Sequence, residues 1–292
     1  MKYSGLVIKG VGGLYTVKTE VGLLKCKAKG RLRKERISPL AGDRVTVSSE
    51  CSNDFVIEEI LERKNKLVRP PVANIDKLFI VVSVAKPYPN MFVIDKMTVL
   101  AEKNNIKPVI IVTKTDLSSG SQLIDTYKSA GYNVYHFSNE DKTCKADILN
   151  EINGCLVAFT GNSGVGKSTL INSLNDELQL ETGEISDKLG RGRHTTRQAE
   201  IFPIGGGLVI DTAGFSSIDF VDDNVLLSED LQYYFNEFNE YIGQCRFIGC
   251  SHMGDKGCKI CEKVENGDIS KSRYESYTQM YNELKNIKKW QI

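Results

Sequence analysis

Eight residues, Gly161, Asn162, Ser163, Gly164, Val165, Gly166, Lys167 and Ser168, fit the spacing G-x-x-x-x-G-K-[ST] and run on into Thr169, with apolar Leu156 to Phe159 before them and Leu170-Ile-Asn-Ser-Leu174 after them. A strand, a glycine-rich turn and a helix start in that order build a nest of backbone N–H groups that binds phosphate. In such a nest Lys167 reaches the β- and γ-phosphates and the Ser168 hydroxyl holds Mg2+. Asp211-Thr-Ala-Gly214 follows Leu208-Val-Ile and fits D-x-x-G, whose Asp reaches Mg2+ through water and whose Gly N–H meets the γ-phosphate. Thr113-Lys114-Thr-Asp116 follows Val109-Ile-Ile-Val. An Asp there accepts two hydrogen bonds from the N1/N2 edge of guanine, which adenine does not offer, while the Lys114 stem packs over the base. Ser138, after Tyr135-His-Phe, is the expected second base-contacting position. Together these segments predict GTP rather than ATP.

Their order is unusual. An ordinary GTPase runs phosphate loop, switch I, D-x-x-G and then the base-reading motif, whereas here Asp116 precedes Lys167. All can still meet at the carboxyl edge of one parallel sheet if the chain is circularly permuted. The exit then falls just after Gly214, so the γ-phosphate sensor leads straight into the C-terminal segment. Phe215 stands where many GTPases carry the Gln that orients water, and a phenyl ring cannot do this by hydrogen bonding.

Four of the eight cysteines fall with a histidine in Cys245-x4-Cys250-x-His252-x5-Cys258-x2-Cys261. Three Cys and one His complete a closed tetrahedral zinc site with no open position for catalysis, so its expected role is structural. Spacing leaves Cys261 as a fifth candidate. The remaining cysteines, Cys26, Cys51, Cys144 and Cys155, are scattered and expected as structural thiols.

The elements that must position these groups are read from pattern. The chain has 292 residues, 41% apolar and 26% charged, which fits folded protein and more than one domain. Its apolar runs are far shorter than the ~20 residues of a membrane helix, and the N-terminus lacks a signal-peptide core, so a cytosolic protein is expected. Short strands at residues 5–9, 14–19, 23–28, 44–47 and 55–60, separated by turn formers, suit a small closed barrel, either an OB-fold or an SH3-like one. Arg69-Pro-Pro71 marks its end. Strands and amphipathic helices then alternate, which predicts a parallel α/β sheet. Beyond Asp222, helices are expected at Leu226 to Tyr241 and Lys271 to Trp290. The resulting division is a barrel at residues 1–68, a GTPase domain at 69–222 and a mostly helical zinc-binding region at 223–292.

The overall charge of +1 conceals an asymmetry: residues 1–67 hold 14 Lys/Arg against 8 Asp/Glu. Lys25, Lys27, Lys29, Arg31, Arg33, Lys34 and Arg36, against the single Glu35, reach a density suited to a nucleic-acid backbone.

The sequence resembles the ribosome small subunit-dependent GTPase A family over essentially its whole length. The resemblance is carried by Gly161 to Leu170, Gly190-Arg-Gly-Arg-His-Thr-Thr-Arg197, Asp211-Thr-Ala-Gly-Phe215, Cys245-Arg-Phe-Ile-Gly-Cys-Ser-His252 and Gly257-Cys258. It implies an N-terminal OB-fold, a circularly permuted GTPase domain and a zinc domain that together grip 16S rRNA of the small (30S) ribosomal subunit. The implied activity is a late assembly checkpoint in which the subunit stimulates hydrolysis and hydrolysis releases the factor. It also implies a monomer, assigns zinc to Cys245, Cys250, His252 and Cys258, and supports His194 as the residue that positions water, with Thr195 or Thr196 holding Mg2+ and sensing the γ-phosphate. Thr113 departs from the family's usual Asn, Ala213 from its usual Pro, and Asp255-Lys-Gly and Ser138-Asn from its usual runs. Two rival readings are a P-loop kinase or ATPase, disfavoured by Asp116, and an RNA-binding protein with a structural nucleotide, disfavoured by the γ-phosphate-sensing residues.

Overall fold

A computed structural model describes residues 1–35, 37–51, 54–67, 71–138, 142–174, 199–211 and 226–286. The chain begins with β1 (Lys2–Val11), β2 (Leu14–Thr19) and β3 (Gly22–Ala28), then α1 (Gly30–Lys34), β4 (Arg44–Cys51) and β5 (Asp54–Ile60). Gly12 and Gly13, at φ +57° and +81°, supply the two left-handed residues that a two-residue hairpin between β1 and β2 requires. Next come the two-residue strands β6 (Lys66–Leu67) and β7 (Val72–Ala73), then β8 (Lys77–Ser83), α2 (Met91–Lys103), β9 (Lys107–Thr113), α3 (Ser121–Ser129) and β10 (Asn133–Phe137). They are followed by α4 (Lys142–Ile152), β11 (Leu156–Thr160), α5 (Lys167–Leu174), β12 (Glu200–Ile204), β13 (Gly207–Asp211), two 3-10 turns (Leu231–Tyr234 and Asn236–Phe238), α6 (Lys259–Glu265) and α7 (Lys271–Leu284). No helix among the described residues is long and apolar enough to cross a membrane.

The chain divides into two compact units, residues 1–79 with 139–217 and residues 80–138 with 218–292, so the division falls within β8. In the first unit the barrel closes in the order β1-β2-β3-β5-β4, with β4 returning to β1 and only β3–β5 parallel. This is the five-stranded ring of an OB-fold, not an SH3-like barrel. Val7, Val17, Cys26, Val45, Val47 and Ile57 fill it, and Leu32 of α1 packs onto the same cluster. Truncating Leu32 to Ala is worth about 2–5 kcal/mol by analogy with other core leucines. Asp43, fully buried, accepts a bidentate pair from Arg63 at 2.7 and 2.8 Å and a bond from the Leu40 N–H at 2.7 Å, fixing the strap that leaves the barrel.

The strands of this unit continue from the barrel through β12 and β13 to β11 and the start of β8. β11 and β13 are parallel. β12, absent from the sequence reading, is antiparallel to β13 across the turn Gly205-Gly206, so the sheet is mixed rather than purely parallel.

In the second unit β8, β9 and β10 lie side by side, β9 and β10 in parallel. β8 and β9 are buried along nearly their whole length, which explains their unbroken apolar runs. α2 starts at Asn90, whose side chain accepts from the Val93 N–H. The C-terminal region packs Leu231, Phe235, Phe238, Ile260, Tyr277 and Met280 into one cluster that includes Val99 of α2.

The helix expected over Leu226 to Tyr241 is replaced by the two 3-10 turns. Phe235 between them is extended, at φ −106° and ψ 98°. Its ring lies 5.2 Å from Phe238, 5.3 Å from Tyr277 and 4.6 Å from the Arg273 guanidinium. These contacts outweigh the modest helix propensity of an Asn- and aromatic-rich run. The last helix ends at Leu284, with Lys285 and Asn286 in a turn, and positions 287–290 of the expected helix lie outside the described residues.

Candidate nucleotide and metal sites

β11 is buried at every residue and ends where the glycine-rich loop begins. Gly161, Gly164 and Gly166 have φ of +146°, +78° and +95°, conformations that a Cβ disfavours, so the turn requires glycine there. Val165 is buried and anchors the loop. Lys167 opens α5 and donates to the Gly161 carbonyl at 3.1 Å, which holds its ammonium over the loop. Ser168 and Thr169 follow in the first turn of α5, half-buried, while Ser163 is exposed and Asn162 half-buried. Asp211 ends β13, and Ile210 pairs with Ala158, so its backbone emerges at the same carboxyl edge as the loop. The structure therefore brings these two segments together.

The base-reading candidates belong to the second unit. Phe137 pairs with Thr113, so Thr113-Lys-Thr-Asp116 and Ser138 leave the same end of adjacent parallel strands. Thr113 is buried; its hydroxyl donates to the Val82 carbonyl at 3.2 Å and its own carbonyl accepts from the Val84 N–H at 3.2 Å. Where Asn is usual, this residue ties β9 to β8. Lys114 adopts φ +60° and its ammonium donates to the Lys86 carbonyl. Asp116 is exposed and Ser138 half-buried.

His194, Thr195, Thr196 and Gly214 lie outside the described residues, and of Asp211 only the backbone is described.

Ligand atoms of Cys245, Cys250, His252 and Cys258 all lie within 4.8 Å of one another. Cys245 Sγ is 3.6 Å from His252 Nδ1 and 3.9 Å from Cys258 Sγ, and His252 Nδ1 is 3.3 Å from Cys258 Sγ. Zn–S and Zn–N bonds of about 2.3 and 2.0 Å in a tetrahedron give edges of roughly 3.8 Å between sulfurs and 3.5 Å from sulfur to nitrogen, so the donor set fits. Backbone N–H groups of Lys259 and Cys261 point at the sulfurs of Cys245 and Cys258, at 3.3 and 3.5 Å, as partners for thiolates. Burial raises the Cys250 and Cys258 thiols and lowers His252, so this pocket favours neutral groups unless a cation occupies it. Cys261 stands outside the set: its Sγ is 3.4 Å from the Tyr274 hydroxyl and 3.8 Å from the His252 carbonyl. The seven cysteines whose side chains are described, all but Cys51, are unbridged.

Sequence reading missed the supports of this cluster. Gln232 lies 2.9 Å from His252 Nε2, Tyr274 donates to the His252 carbonyl at 2.8 Å, and Tyr277 donates to the Ser251 carbonyl at 2.9 Å. Gln232 is 20 residues away from its partner, in a stretch that reads as an ordinary helix, and nothing local to it signals the contact.

On the barrel, β3 alternates: Cys26 and Ala28 face the core while Lys25 and Lys27 are exposed. Lys29, Arg31 and Lys34 are also exposed, Lys29 pairing with Glu58 and Arg31 with Glu35, each at 3.0 Å. The side chain of Arg33 and all of Arg36 lie outside the described residues.

The profile described as RsgA GTPase matches residues 60–221, and that described as RsgA N-terminal domain matches residues 4–57. A Bacillus cereus protein named small ribosomal subunit biogenesis GTPase RsgA is 40% identical over 291 residues, covering 97% of this chain and 98% of its own length. A Listeria monocytogenes protein named small ribosomal subunit biogenesis GTPase RsgA 1 is 44% identical over 290 residues, with the same coverages of 97% and 98%. Among solved structures, YloQ, described as a circularly permuted GTPase, superposes with a TM-score of 0.81 at 33% identity, covering 99% of this chain and 96% of that one. YjeQ from Thermotoga maritima gives 0.81 at 32% identity, covering 99% and 100%.

Proposed function

Because the chain belongs to the RsgA GTPase family, and so is a GTPase with permuted motif order, we propose that it serves as a late assembly and checkpoint factor for the small ribosomal subunit. It binds 16S rRNA in the GTP state and leaves after hydrolysis. The observation that carries this reading is near full-length similarity to proteins named as small-subunit biogenesis GTPases, across barrel, GTPase region and Cys/His cluster alike. We further read the molecule as a cytoplasmic monomer with three functional regions, residues 1–68, 69–222 and 223–292.

In the mechanism we propose, backbone N–H groups of residues 161–169 and the Lys167 ammonium hold the phosphates, and the Ser168 hydroxyl and Asp211 hold Mg2+, Asp211 through water. Mg2+ supplies neutralisation of the charge that develops on the β- and γ-phosphate oxygens. Asp116 accepts from the guanine edge, with Lys114 and Ser138 beside it and Thr113 securing the strand end. Thr195 or Thr196 and the Gly214 N–H sense the γ-phosphate, and His194 orients the attacking water, a role closed to Phe215. Cys245, Cys250, His252 and Cys258 hold one structural zinc ion, supported by their spacing and ligand-edge distances. Exposed Lys25, Lys27 and Lys34, with Lys29, Arg31, Arg33 and Arg36, face the rRNA backbone.

Co-sedimentation of the purified protein with small subunits tests the proposal. Retention with a non-hydrolysable GTP analogue and release with GDP is expected. Equal retention in both states would favour an RNA-binding protein whose nucleotide is only structural.

A further inference from the structure

Arg273, on α7, has no exposed surface and uses five donor contacts. Its Nε and one terminal nitrogen grip Glu237 at 2.7 and 3.1 Å. That same terminal nitrogen also donates to the Tyr132 hydroxyl at 3.4 Å, and the other one donates to Asp95 at 2.6 Å and Thr98 at 3.2 Å. Asp95, equally buried, also accepts from Tyr127 at 2.8 Å, and its second oxygen has no hydrogen-bond partner among the described residues. Burial opposes the charge on Arg273, but Glu237 and Asp95 more than offset it and hold the guanidinium charged.

The partners of Arg273 are distributed in a way that points past stability. Asp95 and Thr98 lie on α2, which joins β8 to β9; Tyr127 lies on α3, which joins β9 to β10; Tyr132 immediately precedes β10. These are the connections between the strands whose ends carry Thr113 to Asp116 and Ser138. The residues next along α7 hold the metal loop, Tyr274 through the His252 carbonyl and Tyr277 through the Ser251 carbonyl. A buried ion cluster is often no more stabilising than apolar side chains of the same volume, and what its fixed geometry adds is one register among the elements it joins.

We propose that Arg273 is a positioning residue for guanine recognition, through which the Cys/His metal loop and the base-reading edge of β9 and β10 are thermodynamically linked. This rests on the reading of Thr113 to Asp116 and Ser138 as the guanine site. Holding the metal loop in place holds α7, and α7 through Arg273 holds α2, α3 and the start of β10 in the register that aims Asp116. By reciprocity, bound guanine nucleotide tightens the metal site by the same factor.

The test compares dissociation constants for GDP and inosine diphosphate, which lacks the 2-amino group that Asp116 reads, using full-length zinc-loaded protein and calorimetry. Arg273→Met alone strands two buried carboxylates and risks unfolding, so it is combined with Asp95→Asn and Glu237→Gln. We expect this folded, zinc-loaded variant to lose about tenfold of the GDP preference, Arg273→Lys to fall between it and the wild type, and zinc removal from the wild type to narrow the preference similarly. A general loss of stability would weaken both nucleotides alike. In Tyr274→Phe, which leaves the ion cluster intact, the preference should no longer respond fully to zinc removal. An unchanged preference in the triple variant, or a wild-type response to zinc removal in Tyr274→Phe, overturns the linkage while the guanine reading stands. Absence of GDP preference in the wild type overturns both.

Discussion

The Nε2 atom of His252 lies 2.9 Å from the side-chain oxygen of Gln232, while its Nδ1 faces the sulfurs of Cys245 and Cys258 at 3.6 and 3.3 Å. An amide oxygen can only accept, so Nε2 carries the hydrogen and Nδ1 keeps its lone pair toward the thiols. His252 holds this orientation from a left-handed backbone conformation, φ +57°, with its carbonyl bound by Tyr274. The imidazole is thus oriented so that its Nδ1 could serve a metal ion, by groups outside the Cys/His set.

Gln232→Leu should therefore weaken zinc binding by about 10–100-fold while the four ligands remain. Competition against a chromophoric chelator measures it. Wild-type affinity in that variant would mean that Gln232 does not set the tautomer.

Burial pushes the Cys26 thiol from its ordinary 9.0 up to about 11. Above pH 9 the unfolded chain gives up this proton while the folded barrel keeps it. The contribution of Cys26 to stability is thus complete below pH 9 and is lost as pH rises toward 11, by about 1.4 kcal/mol per unit at most. Urea melts of wild type and Cys26→Ala at pH 8 and pH 10.5 should show the variant less stable at pH 8 and the difference narrowing at pH 10.5. A difference that does not change with pH would contradict the assignment.

Lys25, Lys27 and Lys34 are exposed, whereas Lys29 and Arg31 each have an acidic partner at 3.0 Å. Each Lys→Gln change at the first three should lower the slope of log affinity against log salt by about 0.7–0.9 for one lost phosphate contact. Changes at Lys29 and Arg31 should have less effect, since their charges are already partly neutralised. Titration with small subunits over a range of KCl concentrations gives the slopes, and slopes unchanged by all three substitutions would remove this face from the RNA contact.

Sequence made the glycine-rich turn at residues 161–166, the permuted order and the barrel strands readable because each depends on local geometry. Glycines at positive φ, buried strands without polar interruption, and the Lys25/Cys26/Lys27/Ala28 alternation all leave their period in the chain. The spacing of Cys245, Cys250, His252 and Cys258 was readable for the same reason, but the exclusion of Cys261 depends on Tyr274, which its own neighbours do not reveal. The stretch around Phe235 was misread because the aromatic packing that breaks its helix comes from α7. β12 was missed since its partners are β13 and, through Glu200 opposite Lys9, a strand at the far end of the sequence. Arg273 falls in the last expected helix with no local signal of its own; only the positions of Asp95, Thr98, Glu237 and Tyr132 give its buried guanidinium partners.

GTP turnover by the purified protein, alone and with small subunits, large subunits or free RNA, tests the central claim most directly. The account predicts slow basal turnover of roughly 10⁻⁴ to 10⁻² s⁻¹, strong stimulation by small subunits only, and loss of that stimulation in His194→Ala with GTP binding retained. No stimulation by small subunits, or equal stimulation by large ones, would contradict it.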